Sequence, residues 1–150
     1  MKKIASFTVD HRFIKEWIYI SRIDGDITTY DIRMRKPNTG DVMSNSLIHS
    51  FEHLLATFMR NGNLADDTVY VGPMGCQTGF YLLMRNANHG EVLKEVKRVL
   101  VEIADYKGEM PGASEIECGN YRNLDVAIAT QEAKRFLEVI KDETEAEINY

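Results

Sequence analysis

The feature that most constrains this chain is the pentapeptide His49-Ser50-Phe51-Glu52-His53, which lies within an apolar run. The apolar residues of this run recur at helical spacing and predict a helix over residues 46–60. In a helix, His49 and His53 lie one turn apart on the same face, where two imidazoles can bind one metal ion. Glu52 lies beside them and could move a proton near the ion without being a ligand. The alternative is a partly buried helix whose histidines only form hydrogen bonds.

The size and composition favour a single folded domain, 1–150, because 150 residues can bury a stable core without disulfide bonds or structural metal ions. The net charge of −5 and the lack of a basic stripe argue against a nucleic-acid partner. No apolar run approaches the length of a membrane span, and charged residues interrupt the N-terminal stretch that a signal peptide would need. We therefore expect a cytoplasmic protein without a membrane partner. In that compartment Cys76 and Cys118 would stay reduced.

The remaining elements mix strands and helices without strict alternation, which favours an α+β fold. We predict an antiparallel sheet packed against a layer of helices that includes the metal-binding helix. The predicted strands are Trp17–Ile20 and Ile27–Met34, joined as a hairpin by Asp24-Gly25-Asp26, then Thr68–Val71 and Phe80–Met84. The other predicted helices run from about Val92 to Asp105 and from Val126 to Ile140, followed by an acidic tail from Asp142 to Glu147.

These patterns suggest structural positions, and no function, for Arg33 and His89. Alternation along the second hairpin strand places Tyr30, Ile32 and Met34 on one face and Asp31, Arg33 and Arg35 on the other. On this pattern alone, Arg33 is interpreted as a solvated charge at a strand edge. His89 lies in a loop before a helix and is interpreted as a surface or helix-cap histidine.

A third metal ligand is needed, because two histidines leave a tetrahedral ion short of one protein ligand even when one position stays open for chemistry. The candidates are Cys76, Cys118, His11, His89 and several carboxylates. Cys118 lies beside Gly119 in a turn, whereas Cys76 follows Pro73-Met74-Gly75, whose small residues allow a substrate to approach. Cys76 is therefore interpreted as a reactive thiol. From chemistry alone either cysteine can be the ligand, and either can also be a small buried apolar residue.

Several segments, taken together and in this order, closely resemble S-ribosylhomocysteine lyase, the LuxS family. They are the pentapeptide, the block Pro73-Met74-Gly75-Cys76-Gln77-Thr78-Gly79-Phe80-Tyr81 and Glu117-Cys118-Gly119-Asn120, with Ser6-Phe7-Thr8-Val9-Asp10-His11 and Tyr30-Asp31-Ile32-Arg33 in support. The resemblance covers nearly the whole chain. It departs at Tyr70-Val71-Gly72, where many members carry Asp-Ile-Ser, and Tyr70 is expected only to line the pocket.

The resemblance implies a homodimer with two active sites at the subunit interface, each holding one divalent metal ion. Iron(II) is the family's usual ion, and zinc or cobalt would be substitutes. The implied metal ligands are His49, His53 and Cys118, and the implied proton-transfer groups are Cys76 and Glu52. The implied substrate contacts are Ser6, His11, Arg33 and Gly75, with Ser6 and His11 reaching across from the partner subunit.

The implied reaction cleaves the thioether sugar S-ribosylhomocysteine to homocysteine and 4,5-dihydroxy-2,3-pentanedione, the autoinducer-2 precursor. It proceeds by successive aldose–ketose isomerisations and a β-elimination. One alternative is a metallopeptidase with the inverted motif, in which Glu52 activates water and Glu115 or Glu117 is the third ligand. The other is a non-catalytic module with a closed site, formed by His49, His53, Cys76 and Cys118.

Overall fold

A four-stranded antiparallel sheet lies at the centre of the fold in the computed structural model, which describes residues 1–150. The strands are β1 (Trp17–Asp24), β2 (Ile27–Arg33), β3 (Thr68–Pro73) and β4 (Gly79–Arg85), in the spatial order β1-β2-β4-β3. The predicted hairpin is confirmed, and Gly25 in its turn has a φ of 60°, a value that glycine adopts without strain. All four predicted strands are therefore present.

Three helices accompany the sheet, and each begins where a polar side chain caps its first turn. They are α1 (Asn45–Arg60), α2 (His89–Asp105) and α3 (Val126–Ile140). The caps are Ser44, Asn88 and Asp125, whose side chains accept hydrogen bonds from backbone N–H groups of the first turn. The three predicted helices are confirmed to within a few residues, and so is the α+β class. None of the three has the length and apolar character needed to cross a bilayer.

The core lies between the sheet and the helices, and it fixes which face of α1 is left for chemistry. Phe51, Leu54 and Leu55 are fully buried, and the Phe51 ring lies 5.3 Å from that of Phe80 on β4. Because these residues face the sheet, His49 and His53 remain on a partly exposed flank of the helix.

The interpretation of Arg33 as a solvated charge is wrong, because Asp31, Arg33 and Arg35 are all buried. The burial is possible because each charge has a buried partner. Arg33 pairs with Asp31, and Arg35 pairs with Glu132 of α3 at 2.5 Å. Burial alone would lower the pKa of Arg33, but the hydrogen bond and the charge of Asp31 raise it above its ordinary value. Both faces of β2 therefore contribute to the interior.

The prediction of an acidic tail is also wrong. Residues 143–150, here called the C-terminal segment, pack along β1. Both carboxyl oxygens of Glu143 lie 3.1 Å from the backbone nitrogen of Ile18, whose N–H donates to them. The carbonyl of Ile148 accepts from the backbone N–H of Ile20 at 2.6 Å. The ring of Tyr150 stacks on Tyr19 with 4.6 Å between centroids. Burial raises the pKa of Glu143 to about 8, despite the hydrogen bond from Ile18.

His89 lies in the first turn of α2, as its interpretation as a cap-region histidine predicts. It is only partly exposed, and its Nδ1 lies 2.6 Å from the hydroxyl of Tyr30. This hydrogen bond joins α2 to β2 in the middle of the sheet. Nδ1 of His89 is therefore used in a structural contact.

Candidate metal centre and active site

Three side chains form a group with the composition of a metal site. Ligand atoms of His49, His53 and Cys118 all lie within 4.8 Å of one another. The two imidazoles come from successive turns of α1, with ring centroids 4.7 Å apart and planes at 90°. Cys118 comes from the loop before α3, and its Sγ lies 3.3 Å from Nε2 of His49. Two imidazoles and one thiolate form a donor set known from catalytic metal sites, where a fourth position stays open.

Both imidazoles are oriented by hydrogen bonds at the nitrogen that faces away from the thiol. Nδ1 of His49 donates to Oδ1 of Asn123 at 2.6 Å, and Nδ1 of His53 donates to the carbonyl of Pro111 at 2.9 Å. Because both partners are acceptors, the proton lies on Nδ1 and the Nε2 lone pair is free for an ion. This arrangement is typical of metal ligands, whose second nitrogen is normally occupied in this way.

The loop that carries Asn123 is fixed to α1 by the two serines of that helix. Ser46 donates to the carbonyl of Asn123 at 2.5 Å, and Ser50 accepts from the backbone N–H of Asp125 at 2.8 Å. Gly112 has a φ of 72° and lies directly against the ring of His53, where a Cβ would approach Nδ1 to 3.2 Å. The helix that supplies the histidines therefore also positions Asn123, the residue that orients His49.

The Cys118 side chain is held by contacts within its own turn. The backbone N–H of Asn120 donates to Sγ at 3.4 Å. The backbone N–H of Cys118 donates in turn to the carbonyl of Ser114 at 3.0 Å, which fixes the residue in its turn.

Glu52 lies between the two histidines in sequence and is partly exposed. Its carboxylate forms no hydrogen bond and no ion pair with any other residue of the chain. Its predicted role in proton transfer stays a prediction.

Cys76 is not a member of the metal group. Its residue is exposed, and its Sγ lies 2.9 Å from Oγ1 of Thr78 and 4.0 Å from Nη1 of Arg33. The closed four-ligand site considered from the sequence is therefore not formed within one chain. The thiol instead lies next to the guanidinium of Arg33 on an exposed turn, and its reactivity stays a prediction.

The turn that presents Cys76 is fixed beside Arg33 by a close contact between strands. Gly79, the first residue of β4, lies opposite Arg33, and a Cβ there would collide with the carbonyl oxygen of Ile32. The carbonyl of Thr78 accepts from the backbone N–H groups of Met34 and Arg35 at 2.9 and 3.0 Å. The predicted substrate residue Gly75 lies at the exposed tip of this turn, with open space where a Cβ would be.

Ser6 and His11 line one small cavity together with Arg33, Tyr81 and Tyr150. The cavity of about 10 Å³ has room for about one water molecule, so a sugar does not fit in it as it stands. The structure thus brings the three predicted polar substrate contacts together within one chain. Their exchange across a dimer stays a prediction.

Tyr70, expected to line the pocket, is exposed on β3 and borders a surface groove with Ser6 and Tyr81. The carboxylate that a metallopeptidase would need is absent from the metal group. One of the two candidates, Glu117, accepts a hydrogen bond from the hydroxyl of Ser114 at 2.6 Å instead.

Reasoning from the sequence missed several residues that complete both clusters. Asn123 orients His49, Thr78 contacts Cys76, and Tyr150 and Tyr81 line the cavity beside Arg33. Thr78 and Tyr81 stand in the block around Cys76, which was the one signal for them. Nothing in the residues around Asn123 or Tyr150 indicates their positions, because each depends on a contact more than 70 residues away in the chain.

The chain is similar to known proteins over nearly its whole length. Residues 4–147 match the family model described as S-Ribosylhomocysteinase (LuxS). The chain is 44% identical to the S-ribosylhomocysteine lyase of Clostridium acetobutylicum and 41% identical to that of Desulfotalea psychrophila. It is 38% identical to the S-ribosylhomocysteine lyase of Borreliella afzelii. Each alignment covers 100% of this chain and 99% of the relative.

Proposed function

The chain belongs to the S-ribosylhomocysteinase (LuxS) family and is a carbon–sulfur lyase, and we propose how its own residues carry out the reaction. The reaction cleaves S-ribosylhomocysteine to homocysteine and 4,5-dihydroxy-2,3-pentanedione. An aldose–ketose isomerisation moves the carbonyl to C2, a second isomerisation moves it to C3, and a β-elimination follows. The observation that carries the proposal is the group of His49, His53 and Cys118, with both imidazoles oriented by their Nδ1 hydrogen bonds.

One divalent metal ion per subunit, iron(II) with zinc or cobalt as substitutes, fits this donor set. The three ligand atoms converge, the two Nε2 atoms are unprotonated and the thiol receives a backbone N–H, which together match what an ion of this kind requires. When bound, such an ion supplies Lewis-acid polarisation of the sugar's carbonyl and hydroxyl oxygens, which acidifies the neighbouring C–H bonds. His49, His53 and Cys118 hold it, and Asn123 and Pro111 hold the imidazoles.

Cys76 and Glu52 are the proton-transfer groups of the proposal. Each isomerisation removes a proton from one sugar carbon and returns one to its neighbour, so that the carbonyl moves from C1 to C2 and then to C3. The Cys76 thiolate, stabilised by Arg33, takes and returns these protons, while Glu52 exchanges protons with the sugar oxygens. With the carbonyl at C3, loss of the C4 proton expels the C5 sulfur as homocysteine.

A homodimer with the active sites at its interface is part of the proposal, and two observations support it. Cys76 forms polar contacts with Arg33 and Thr78. It forms none with His49, His53 or Cys118 of the same chain. Residues 4–13 carry the exposed side chains of Ile4, Phe7 and Phe13, and the hydrogen bonds within this stretch are all local. A stretch with exposed apolar groups and few anchors is suited to packing on a second subunit and to reshaping the small cavity around Ser6 and His11.

Residues 1–150 then act as one lyase domain in the cytoplasm, where reducing conditions keep both thiols available. Both cysteines are free, in agreement with this assignment.

The test of the activity is the release of homocysteine. Iron- or cobalt-loaded protein is incubated with S-ribosylhomocysteine, and thiol release is followed with a chromogenic disulfide, with Cys76→Ala as the matched control. Release well above that of the Cys76→Ala protein is expected. Release no greater than that of the control would overturn the proposal.

The two cysteines are distinguished by their metal content. Cys118→Ala is expected to lose the ion, because it removes a ligand, whereas Cys76→Ala is expected to keep it. Metal analysis of both purified variants makes the comparison, and equal loss in the two would contradict the assignment of roles.

A further inference from the structure

A continuous chain of polar contacts joins the C-terminal segment to the Cys76 thiol. The hydroxyl of Tyr150 donates to Oδ2 of Asp31 at 2.5 Å. Arg33 donates to the same oxygen from Nη2 at 2.6 Å and to Oδ1 from Nε at 3.1 Å. Asp31 and Arg33 are 0% and 3% exposed, so water does not replace a lost partner easily.

The bidentate pair with Asp31 determines which part of the guanidinium remains for the active site. Nε and Nη2 of Arg33 are occupied by the carboxylate, which fixes the plane of the group. Nη1 then lies 2.7 Å from Oγ1 of Thr78 and 4.0 Å from Sγ of Cys76. The place of the positive charge beside the thiol is thus set by the orientation of Asp31.

Tyr150 is itself held in place before any substrate arrives. Its ring stacks on Tyr19 at an interplanar angle of 20°, and the preceding residues are anchored on β1 through Glu143 and Ile148. Its hydroxyl is therefore presented to Asp31 by a stacked ring on an anchored segment, while 47% of the residue stays exposed.

We propose that Tyr150 is a positioning residue for the lyase reaction, which acts through Asp31 to hold the guanidinium of Arg33 in place beside the Cys76 thiolate. The proposal rests on the proposed function, because it takes Cys76 as the proton-transfer group. With the hydroxyl present, the negative charge of Asp31 is shared between Arg33 and Tyr150. Without it, the full charge of Asp31 acts on Arg33, and the carboxylate loses one of the two groups that fix its orientation. The positive charge of Arg33 is then offset more and positioned less firmly beside the thiol.

The test replaces the hydroxyl alone and uses the full, metal-loaded chain. In Tyr150→Phe the stacked ring is kept and the hydrogen bond to Asp31 is lost. We expect kcat for homocysteine release to fall about tenfold, the effect of one hydrogen bond to a charged group, while KM changes less than about twofold. We also expect the pH profile of Cys76 alkylation by iodoacetamide, quantified on the Cys76 peptide by mass spectrometry, to shift upwards. The titratable groups around the thiol are Arg33 and Tyr81, with Asp31 behind Arg33.

The matched control is Tyr19→Phe, which removes the hydroxyl of the other ring in the same stack. That hydroxyl forms hydrogen bonds only with the backbone of Lys15, at 3.3 Å, and none with Asp31, although Tyr19 lies opposite Asp31 in the sheet. We expect wild-type values of kcat and of the alkylation profile in this variant, with thermal unfolding measured for both variants.

Three results would overturn the proposal. Wild-type kcat and alkylation in Tyr150→Phe would remove the link to Arg33. Equal losses in Tyr150→Phe and Tyr19→Phe would assign the effect to general loosening of the C-terminal segment. A rise in KM with unchanged kcat would assign Tyr150 to substrate binding. If the wild-type protein releases no homocysteine, the proposed function fails, and the alkylation profile still decides whether Tyr150 acts on the thiol.

Discussion

The buried carboxyl of Glu143 makes the stability of the fold depend on pH in an unusual direction. Glu143 is 3% exposed, and burial raises its pKa from 4.5 to about 8. The native state therefore holds a proton that the unfolded chain has already released between these two values. A group of this kind contributes most stability below the unfolded pKa and loses it as the pH rises through the folded pKa.

The magnitude follows from the width of that window. One pKa unit corresponds to about 1.4 kcal/mol, so the contribution of Glu143 to the free energy of unfolding falls by up to about 4 kcal/mol between pH 5 and pH 9. Three charged groups face this carboxyl. Lys97 and Lys15 lower its pKa and Glu147 raises it, and together they do not reverse the effect of burial.

The assay compares the wild-type protein with Glu143→Gln, which keeps the shape and the acceptor for the N–H of Ile18 but does not titrate. Urea unfolding at pH 5, 7 and 9 gives the free energy of unfolding of each protein. The wild type is expected to lose stability relative to the variant as the pH rises. Because both proteins contain the same other groups, their difference isolates this site. A difference that stays constant within about 0.5 kcal/mol from pH 5 to pH 9 would refute the reasoning.

Three further substitutions test other parts of the structure. Asn123→Ala removes the acceptor for Nδ1 of His49 and should weaken metal affinity about 10- to 100-fold in a chelator competition, with unchanged helical content; unchanged affinity would contradict its orienting role. Glu132→Gln leaves Arg35 without its buried counter-charge and should lower the free energy of unfolding by about 3 kcal/mol in urea, and a loss under about 1 kcal/mol would show that water replaces the pair. Leu100→Ala, at a fully buried position of α2, should cost about 3 kcal/mol by thermal or urea unfolding while leaving the metal affinity of the folded protein unchanged.

Much of the fold is predictable from the sequence, because its elements are determined by local patterns. Helix α1 was predicted over 46–60 and spans 45–60, since the apolar spacing and the cap at Ser44 are both readable in sequence. The hairpin follows in the same way from Asp24-Gly25-Asp26 between two β-rich runs. The spacing of His49 and His53 likewise predicts one face of a helix, and the structure places Cys118 beside them.

The errors concern residues whose environment is set by distant partners. Arg33 has the alternation pattern of a solvated position, but Asp31 and the covering Tyr150 allow its burial. Glu143 stands among acidic residues that do face solvent, and only its contact with Ile18, 125 residues away, distinguishes it from them. Asn123 is a similar case, since its role appears only when the loop before α3 lies against α1. Composition and periodicity carry no information about such pairings.

The C-terminal segment also has a consequence for how the protein behaves at high concentration. β1 is an edge strand, and an edge with free N–H groups is a template on which another chain can add a strand. Glu143 and Ile148 occupy the N–H groups of Ile18 and Ile20, so the segment caps this edge with a carboxyl group and a backbone carbonyl in place of a regular strand. The residues that look like a disposable acidic tail thereby protect the sheet from edge-to-edge aggregation, and a protease cut before Glu143 would expose a surface prone to it.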